Sequence, residues 1–293
     1  MLFSGKNCLI TGANSGLGFA VSRIFARRGA HTIMLCRNKE RGEQAVHSIL
    51  QETPDASVDL MICDLASMES TQCFIRDFKE KYSKLDILLN NAAVMKRKRT
   101  VTEDGYEMMF QVNYLAPFIL MNAFLELLEN GSSHQIINIA LPDQDLRLKF
   151  DDLQFEETYN MFNSFFQTKL YLLIASLEMS RRNESDELKV TLADPGTFKS
   201  NLARDFLGLG WVRNLFLASV DSAAENILYV VELVEEQEKS TRIFEEREEK
   251  SLTPYWQDAE LSERLWSTTE ALLEASQIYQ SVTSERLVTT PLV

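Results

Sequence analysis

The sequence predicts a single α/β domain built on a mostly parallel, doubly wound sheet with helices on both faces. Three observations carry this. Short apolar runs of strand length alternate with segments whose apolar residues recur at helical spacing. A glycine-rich turn joins the first such run to the first such helix. The alternation continues through seven strands, and right-handed crossovers can lay these into a sheet only with helices on both sides.

The first unit sets the pattern. Cys8, Leu9 and Ile10 form a strand; Ala20, Val21, Ile24 and Phe25 share one helix face; Gly29 stands where a C-terminal cap belongs; Thr32 to Cys36 make the second strand. There follow a polar helix over 39–51, a strand over 58–63, a helix over 68–82 and a strand over 86–89. A long helical stretch over 104–129 leads to a strand over 135–139, a Phe-rich helix over 160–181 and a strand over 190–193. A helix over 222–234 and a weak strand over 241–244 close the core. The charge-dense stretch 235–250 reads as solvated surface. Leu261, Leu265, Leu272 and Leu273 mark an amphipathic helix expected to pack on the sheet edge, and the chain beyond Tyr279 reads as frayed. The expected organisation is thus one domain over 1–250, a helix packed on it within 251–280, and a disordered tail over 281–293.

With 293 residues, 45% of them hydrophobic and 25% charged, the chain can bury one large core. Its net charge of -13 opposes the phosphate attraction on which nucleic-acid and anionic-membrane binding rely, so neither partner is expected. Cys8, Cys36, Cys63 and Cys73 have no metal-ligand spacing and read as core thiols of a reducing compartment; no metal is expected. The opening Met-Leu-Phe-Ser-Gly-Lys runs straight into a strand, and no stretch reaches the length of a membrane span, so the expected setting is cytoplasmic.

Function is read first from the turn Thr11-Gly12-Ala13-Asn14-Ser15-Gly16-Leu17-Gly18. Placed between strand and helix, its glycines let the backbone approach a pyrophosphate at the helix N-terminus, as in a Rossmann fold. The residue that selects the adenosine ribose should end the second strand, about 20 residues further on. An acidic residue there would favour NAD(H); this chain has Cys36-Arg37, and a guanidinium suits a 2′-phosphate, so NADP(H) is expected over NAD(H). Asp64 and Leu65, after the third strand, are placed to hold the adenine amino group.

Those motifs in this order, with Asn90-Asn91-Ala92-Ala93 after the fourth strand, resemble the short-chain dehydrogenase/reductase family. Cys36-Arg37, Thr102-Glu103-Asp104-Gly105-Tyr106-Glu107, Val112-Asn113-Tyr114 and Glu263-Arg264-Leu265-Trp266 look like its retinol dehydrogenase branch, and the likeness runs from Gly5 to about Leu273. The resemblance implies cofactor contacts from Gly12, Asn14, Ser15, Gly16, Leu17, Gly18, Arg37, Asp64, Leu65, Asn91, Ala92, Ala93 and Lys169, and from Pro195, Gly196 and Thr197 after the sixth strand.

The family is known for four residues that bind and protonate the reacting oxygen: Asn, Ser, Tyr and Lys. Carbonyl reduction leaves an alkoxide that needs a proton donor, which is why such groups are required. Asn113 and Lys169 match. Asn113 stands four residues before Pro117, which cannot donate to its carbonyl; in the family that carbonyl holds a relay water, and this is the expected geometry, with a kink for packing alone as the alternative. Lys169 is expected to donate to the nicotinamide ribose, and beside Phe165, Phe166, Leu170 and Leu172 it needs a polar partner. The other two positions are substituted: Phe165 stands for the tyrosine and Leu141 for the serine. Tyr159 and Tyr171 are near in sequence, yet six residues rotate a helix by about 600°, so neither restores the lost direction.

On the substrate side, the apolar segment 206–220 corresponds to the family's mobile lid and suits a lipophilic small molecule; a dimer contact or an interfacial helix is the alternative. Lys96-Arg97-Lys98-Arg99 reads as a solvated loop, with an anionic ligand or a targeting signal as other readings. The helices ending near Glu129 and Arg181 are where relatives dimerise, so a homodimer is possible. Two functions follow. One is an NADP(H)-binding protein of weak or no turnover, acting as sensor, scaffold or partner subunit. The other is a working oxidoreductase on a lipophilic alcohol or carbonyl compound, of retinoid, steroid or prenol type.

Overall fold

The computed structural model describes residues 3–140, 145–183, 185, 187–196, 219–235 and 241–275. Eight strands form one sheet in the order β3-β2-β1-β4-β5-β6-β7-β8. They are β1 (Asn7–Thr11), β2 (His31–Cys36), β3 (Ser57–Ile62), β4 (Ile87–Asn90), β5 (Gln135–Ile139), β6 (Lys189–Asp194), β7 (Thr241–Glu245) and β8 (Glu248–Lys250). The first seven pair in parallel; β7 and β8 are antiparallel.

Strand alternation divides the interior in two. Leu9, Leu88, Ile136, Val190 and Leu192 face α3 (Met68–Lys81), α5 (Ala116–Ala123) and α7 (Met161–Arg182). Cys8, Ile10, Ile137 and Ala193 face α1 (Gly16–Arg27) and α8 (Val220–Glu235). The helix α2 (Lys39–Glu52) joins the second layer through Ala45 and Ile49. The chain runs outward from β1 through β2 to β3, then crosses back to β4 on the other side of β1. Ligand clefts of such sheets open at this switch point, beyond the strands' carboxyl ends.

Four expectations are corrected. The sheet has an eighth strand, β8, where seven were expected, and it is exposed as the charge of the stretch 235–250 leads one to expect. Glu235 itself is engaged, ion-paired with Lys6 and bonded to Ser133 and Gln135. The stretch 104–129 is not one helix. Asp104 and Gly105 make a turn closed by a Val101–Glu107 bridge, with Gly105 at φ 85°, and the Asp104 carboxylate accepts from Met68 N–H at 2.8 Å and from the Gln111 amide at 2.6 Å. Helix begins at α4 (Met108–Phe110), widens into a π turn over Gln111–Leu115, where Ala116 N–H reaches the Gln111 carbonyl, continues as α5 and restarts after Phe124 as α6 (Leu125–Glu129). Pro117 follows the wide turn, whose extra residue accommodates a ring that lacks an N–H.

The fourth correction concerns α9 (Ala259–Ala275), which lies on α7 and α5 rather than on a sheet edge. Trp266 packs its ring 4.6 Å from Phe118, the Thr269 and Tyr114 hydroxyls bond at 2.5 Å, and Ser262 donates to the buried Glu178. These partners sit on the outer side of the helical layer, so the leucine stripe closes the core over α7. Among the described residues no helix is long and apolar enough to cross a membrane, and no group of metal-ligating side chains is found. The expected tail 281–293 lies outside the described residues.

Candidate functional site

A cleft of about 500 Å³ opens at the switch point. One wall is the glycine turn. Gly12 and Gly16 hold φ values of 67° and 54°, a region that side chains avoid. A Cβ on Gly18 would meet the Asn91 amide nitrogen and the Gly12 carbonyl oxygen at 2.5 Å, so the third glycine exists for close packing. By contrast, a Cβ on Gly16 would meet nothing within 4 Å.

Asn91 fixes the turn from behind. Its amide donates to the Thr11 carbonyl at 2.8 Å, while the Asn91 and Ala92 N–H groups donate to Thr11 Oγ1 at 3.0 and 2.9 Å. The helix α1 that leaves the turn has no side-chain cap from Ser15 and no acidic residue in its first turn. Helices α2 and α3 are capped by Asn38 and Ser67. The first-turn amides of α1 therefore face the cleft with a positive dipole end and no side-chain acceptor at the cap, which suits a phosphate.

Beyond β2, Arg37 and Arg41 line the cleft. Arg41 was not singled out from sequence. It joins the lining at the start of α2, where Asn38 caps the helix by accepting from Arg41 N–H at 2.9 Å. Both arginines are exposed, and among the described residues neither is tied to a carboxylate. Asp64 and Leu65 line the same half, with one Asp64 oxygen accepting from Ala66 N–H at 3.0 Å.

At the opposite end the cleft is lined by Phe165, Phe166, Lys169, Asp194 and Pro195. Lys169 is buried, donates to the Ile139 carbonyl at 2.9 Å and stands over the Phe165 ring. The Ile139 carbonyl is a polar partner of the kind its position demanded. Burial of the ammonium pushes its pKa down to about 8, against the opposing charge of Asp194. Asp194, the last residue of β6, accepts from Gly196 N–H at 2.9 Å. Burial, with Glu245 and Glu246 nearby, raises its pKa above the ordinary carboxylate value, while the Gly196 bond and Lys169 act the other way.

Other expected site residues lie elsewhere. Asn113 does not line the cleft: its amide clamps the Val94 backbone, accepting from Val94 N–H at 2.8 Å and donating to the Val94 carbonyl at 2.9 Å. Gly18 and Gly196 also sit behind the lining, whereas Gly12, Asn14, Ser15, Gly16, Leu17, Asn91, Ala92 and Ala93 form it. Leu141, Thr197 and the apolar segment 206–218 lie outside the described residues. Tyr159 donates to the Lys96 carbonyl at 2.7 Å, and Tyr171 is buried with its hydroxyl directed at the Leu153 carbonyl. Neither lines the cleft. In the basic run 96–99, Arg99 is tied to the Gln154 carbonyl and to Glu156.

The short chain dehydrogenase family model matches residues 6–141. Human retinol dehydrogenase 13 is 33% identical over 287 residues, covering 94% of this chain and 87% of that protein. The chain belongs to the short-chain dehydrogenase family. Within it the chain sits in the retinol dehydrogenase-like branch, since mouse retinol dehydrogenase 14 is 31% identical over 93% of this chain. Human polyprenol dehydrogenase is 30% identical over 88% of this chain and 82% of that protein. The crystal structure of an uncharacterised protein from Mycobacterium Paratuberculosis matches this chain with TM-score 0.71 and 27% identity, over 93% of this chain and 94% of that one. A metagenomic short-chain oxidoreductase in complex with NADP shares the fold at TM-score 0.62 and 19% identity, over 84% of this chain and 99% of that one. Membership implies an oxidoreductase with a nicotinamide dinucleotide cofactor. The uncapped amides of α1 and the open space before Gly16 fit that group.

Proposed function

We propose that this dehydrogenase binds NADP(H) in preference to NAD(H) and turns over carbonyl or alcohol substrates slowly or not at all by the family's usual route. The observation that carries the first half is the corner where Arg37 and Arg41 meet the cleft: two cations suit a 2′-phosphate better than a bare ribose. In this reading the first-turn amides of α1 hold the pyrophosphate, Asp64 and the Leu65 backbone hold the adenine, and Lys169 holds the nicotinamide ribose. Pro195 stands at the nicotinamide end. When bound, the dinucleotide supplies or accepts the hydride.

The second half follows from what Phe165 and Leu141 lack. Phenylalanine keeps a ring's volume but has no ionisable hydroxyl, and leucine has no donor for a developing oxyanion. General acid catalysis contributes roughly 10²–10⁴-fold, and the two losses act on one unit, so their effects need not multiply. The expected product is a protein whose state reports or responds to NADP(H).

A working enzyme on a lipophilic substrate is the second reading. It is favoured by Phe162 and Phe166, 55% and 38% exposed, on the first turns of α7, with Phe166 in the cleft wall. The retinol and polyprenol dehydrogenase relatives support the same substrate class. One pair of measurements separates the two. Calorimetry should register NADPH binding tighter than NADH, and oxidation of NADPH should then be followed with a panel of long-chain aldehydes and ketones. Failure of folded protein to take up either dinucleotide sinks the binding reading; rapid oxidation sinks the slow-turnover reading.

A further inference from the structure

With no hydroxyl at position 165, the titratable side chains that line the reacting end of the cleft among the described residues are Lys169 and Asp194. Strand geometry puts them on one side of the sheet. Along β6, Val190 and Leu192 point to the layer of α7 while Ala193 points to that of α8, so Asp194 follows Val190 and Leu192 toward α7. Lys169 reaches the end of β5 through the Ile139 carbonyl, and Ile139 pairs with Ala193, the residue before Asp194. The two side chains therefore converge on the ends of adjacent strands. We propose that the Asp194 carboxyl carries the proton at the reacting end of the cleft, accepting it on alcohol oxidation and returning it on carbonyl reduction.

This rests on the oxidoreductase reading above. In reduction, hydride from the reduced dinucleotide forms a C–H bond at the carbonyl carbon, the C=O π pair moves to oxygen, and the dinucleotide is oxidised. The new O–H takes its proton from Asp194, whose O–H pair stays on the carboxylate, and solvent returns the proton. Among the described residues three charged groups act on Asp194: Lys169 from α7, Glu245 from β7 and Glu246 from the turn after it. The glutamates oppose a charged carboxylate and Lys169 favours it, which keeps the group poised to take and give a proton. One Asp194 oxygen is occupied by Gly196 N–H, a bond that Asn or Ser can also accept.

The test compares wild type with Asp194→Asn and Asp194→Ser, using decanal with NADPH and decanol with NADP as probes. Three quantities are read: NADPH affinity by calorimetry, turnover across pH, and titration of the Lys169 ammonium in the ligand-free protein by NMR of labelled lysine. Expected are NADPH affinity within about twofold of wild type, a fall of at least about 100-fold in residual turnover, and a Lys169 pKa below about 8 in both variants. Wild-type reduction should rise as pH falls through the raised Asp194 pKa, and the variants should lose that limb. Unchanged turnover and pH profile in the variants overturn the inference. So does a wild type that binds NADPH yet shows no turnover, or a flat profile, at any pH. Absence of NADPH binding in folded wild type is a separate outcome that removes the cofactor reading and this inference with it.

Discussion

The Lys169 Nζ stands 5.4 Å from the centre of the Phe165 ring and 2.9 Å from the Ile139 carbonyl oxygen. Phe165 lies one helical turn before Lys169, where the family carries a tyrosine, so the ammonium meets a π face instead of a phenol.

That geometry makes Phe165→Tyr a gain-of-function change. A phenol placed beside a buried cation has its pKa lowered toward the working range. Combined with Leu141→Ser, it should raise NADPH-dependent reduction of a long-chain aldehyde by roughly 10² or more. Steady-state rates at saturating NADPH give the answer, and a double variant no faster than wild type would mean that the ring is not directed at the reacting carbon.

At the other end, Arg37→Ala and Arg41→Ala should each weaken NADPH about tenfold, on the order of 1.4 kcal/mol, and leave NADH unchanged. Because both side chains are exposed, the losses should shrink as salt is added. Parallel titrations with the two dinucleotides at low and high salt check this; equal losses for NADH would contradict a 2′-phosphate contact.

Two glycines should behave differently. Gly18→Ala drives a methyl into the Asn91 amide and the Gly12 carbonyl at 2.5 Å, and should cost about 1–3 kcal/mol of stability together with dinucleotide binding. Gly16→Ala meets no atom within 4 Å and suffers only its φ of 54°, a cost of about 1 kcal/mol. Its methyl nonetheless occupies the space kept for phosphate, so binding should fall while folding persists. Urea unfolding beside calorimetry distinguishes the pair.

Lys169 should destabilise the ligand-free fold. Its folded pKa of about 8 lies below the ordinary lysine value of 10.5, so below pH 8 both states hold the proton and the burial cost is present in full. As pH rises from about 8 toward 10.5 the folded lysine loses its proton first, and stability increases. Lys169→Met, which keeps the apolar stem and leaves the Ile139 carbonyl without its donor, should therefore be more stable at pH 7 by roughly 1–3 kcal/mol. The gain should disappear near pH 10. Unfolding free energies of both proteins at the two pH values are the check; a variant weaker than wild type at pH 7 refutes the claim.

Most strands and the glycine turn were legible because one face of each element is buried, which forces apolar residues into the periods a reader can count. β1 and β2 agree with the sequence to within one residue at each end for that reason. The break in 104–129 was hidden because apolar helix-forming residues run through it; Asp104 and Gly105, which impose the turn, owe their effect to partners on α3 and at Gln111. β8 escaped because Glu248–Lys250 is a charged edge strand with no buried face to pattern. In the site, Arg41 was missed for a related cause: it acquires its place from a neighbour, Asn38, and linear spacing does not carry that information. The segment that Asp194 opens was recognised from sequence, while the approach of Asp194 to Lys169 comes from the β5–β6 register.

The four residues from Asn91 to Val94 are gripped at both ends, by Thr11 on one side and by Asn113 on the other. A span so short and so tightly anchored behaves as a strut. It joins the glycine turn to Asn113 in the π turn and so holds the spacing between those two elements.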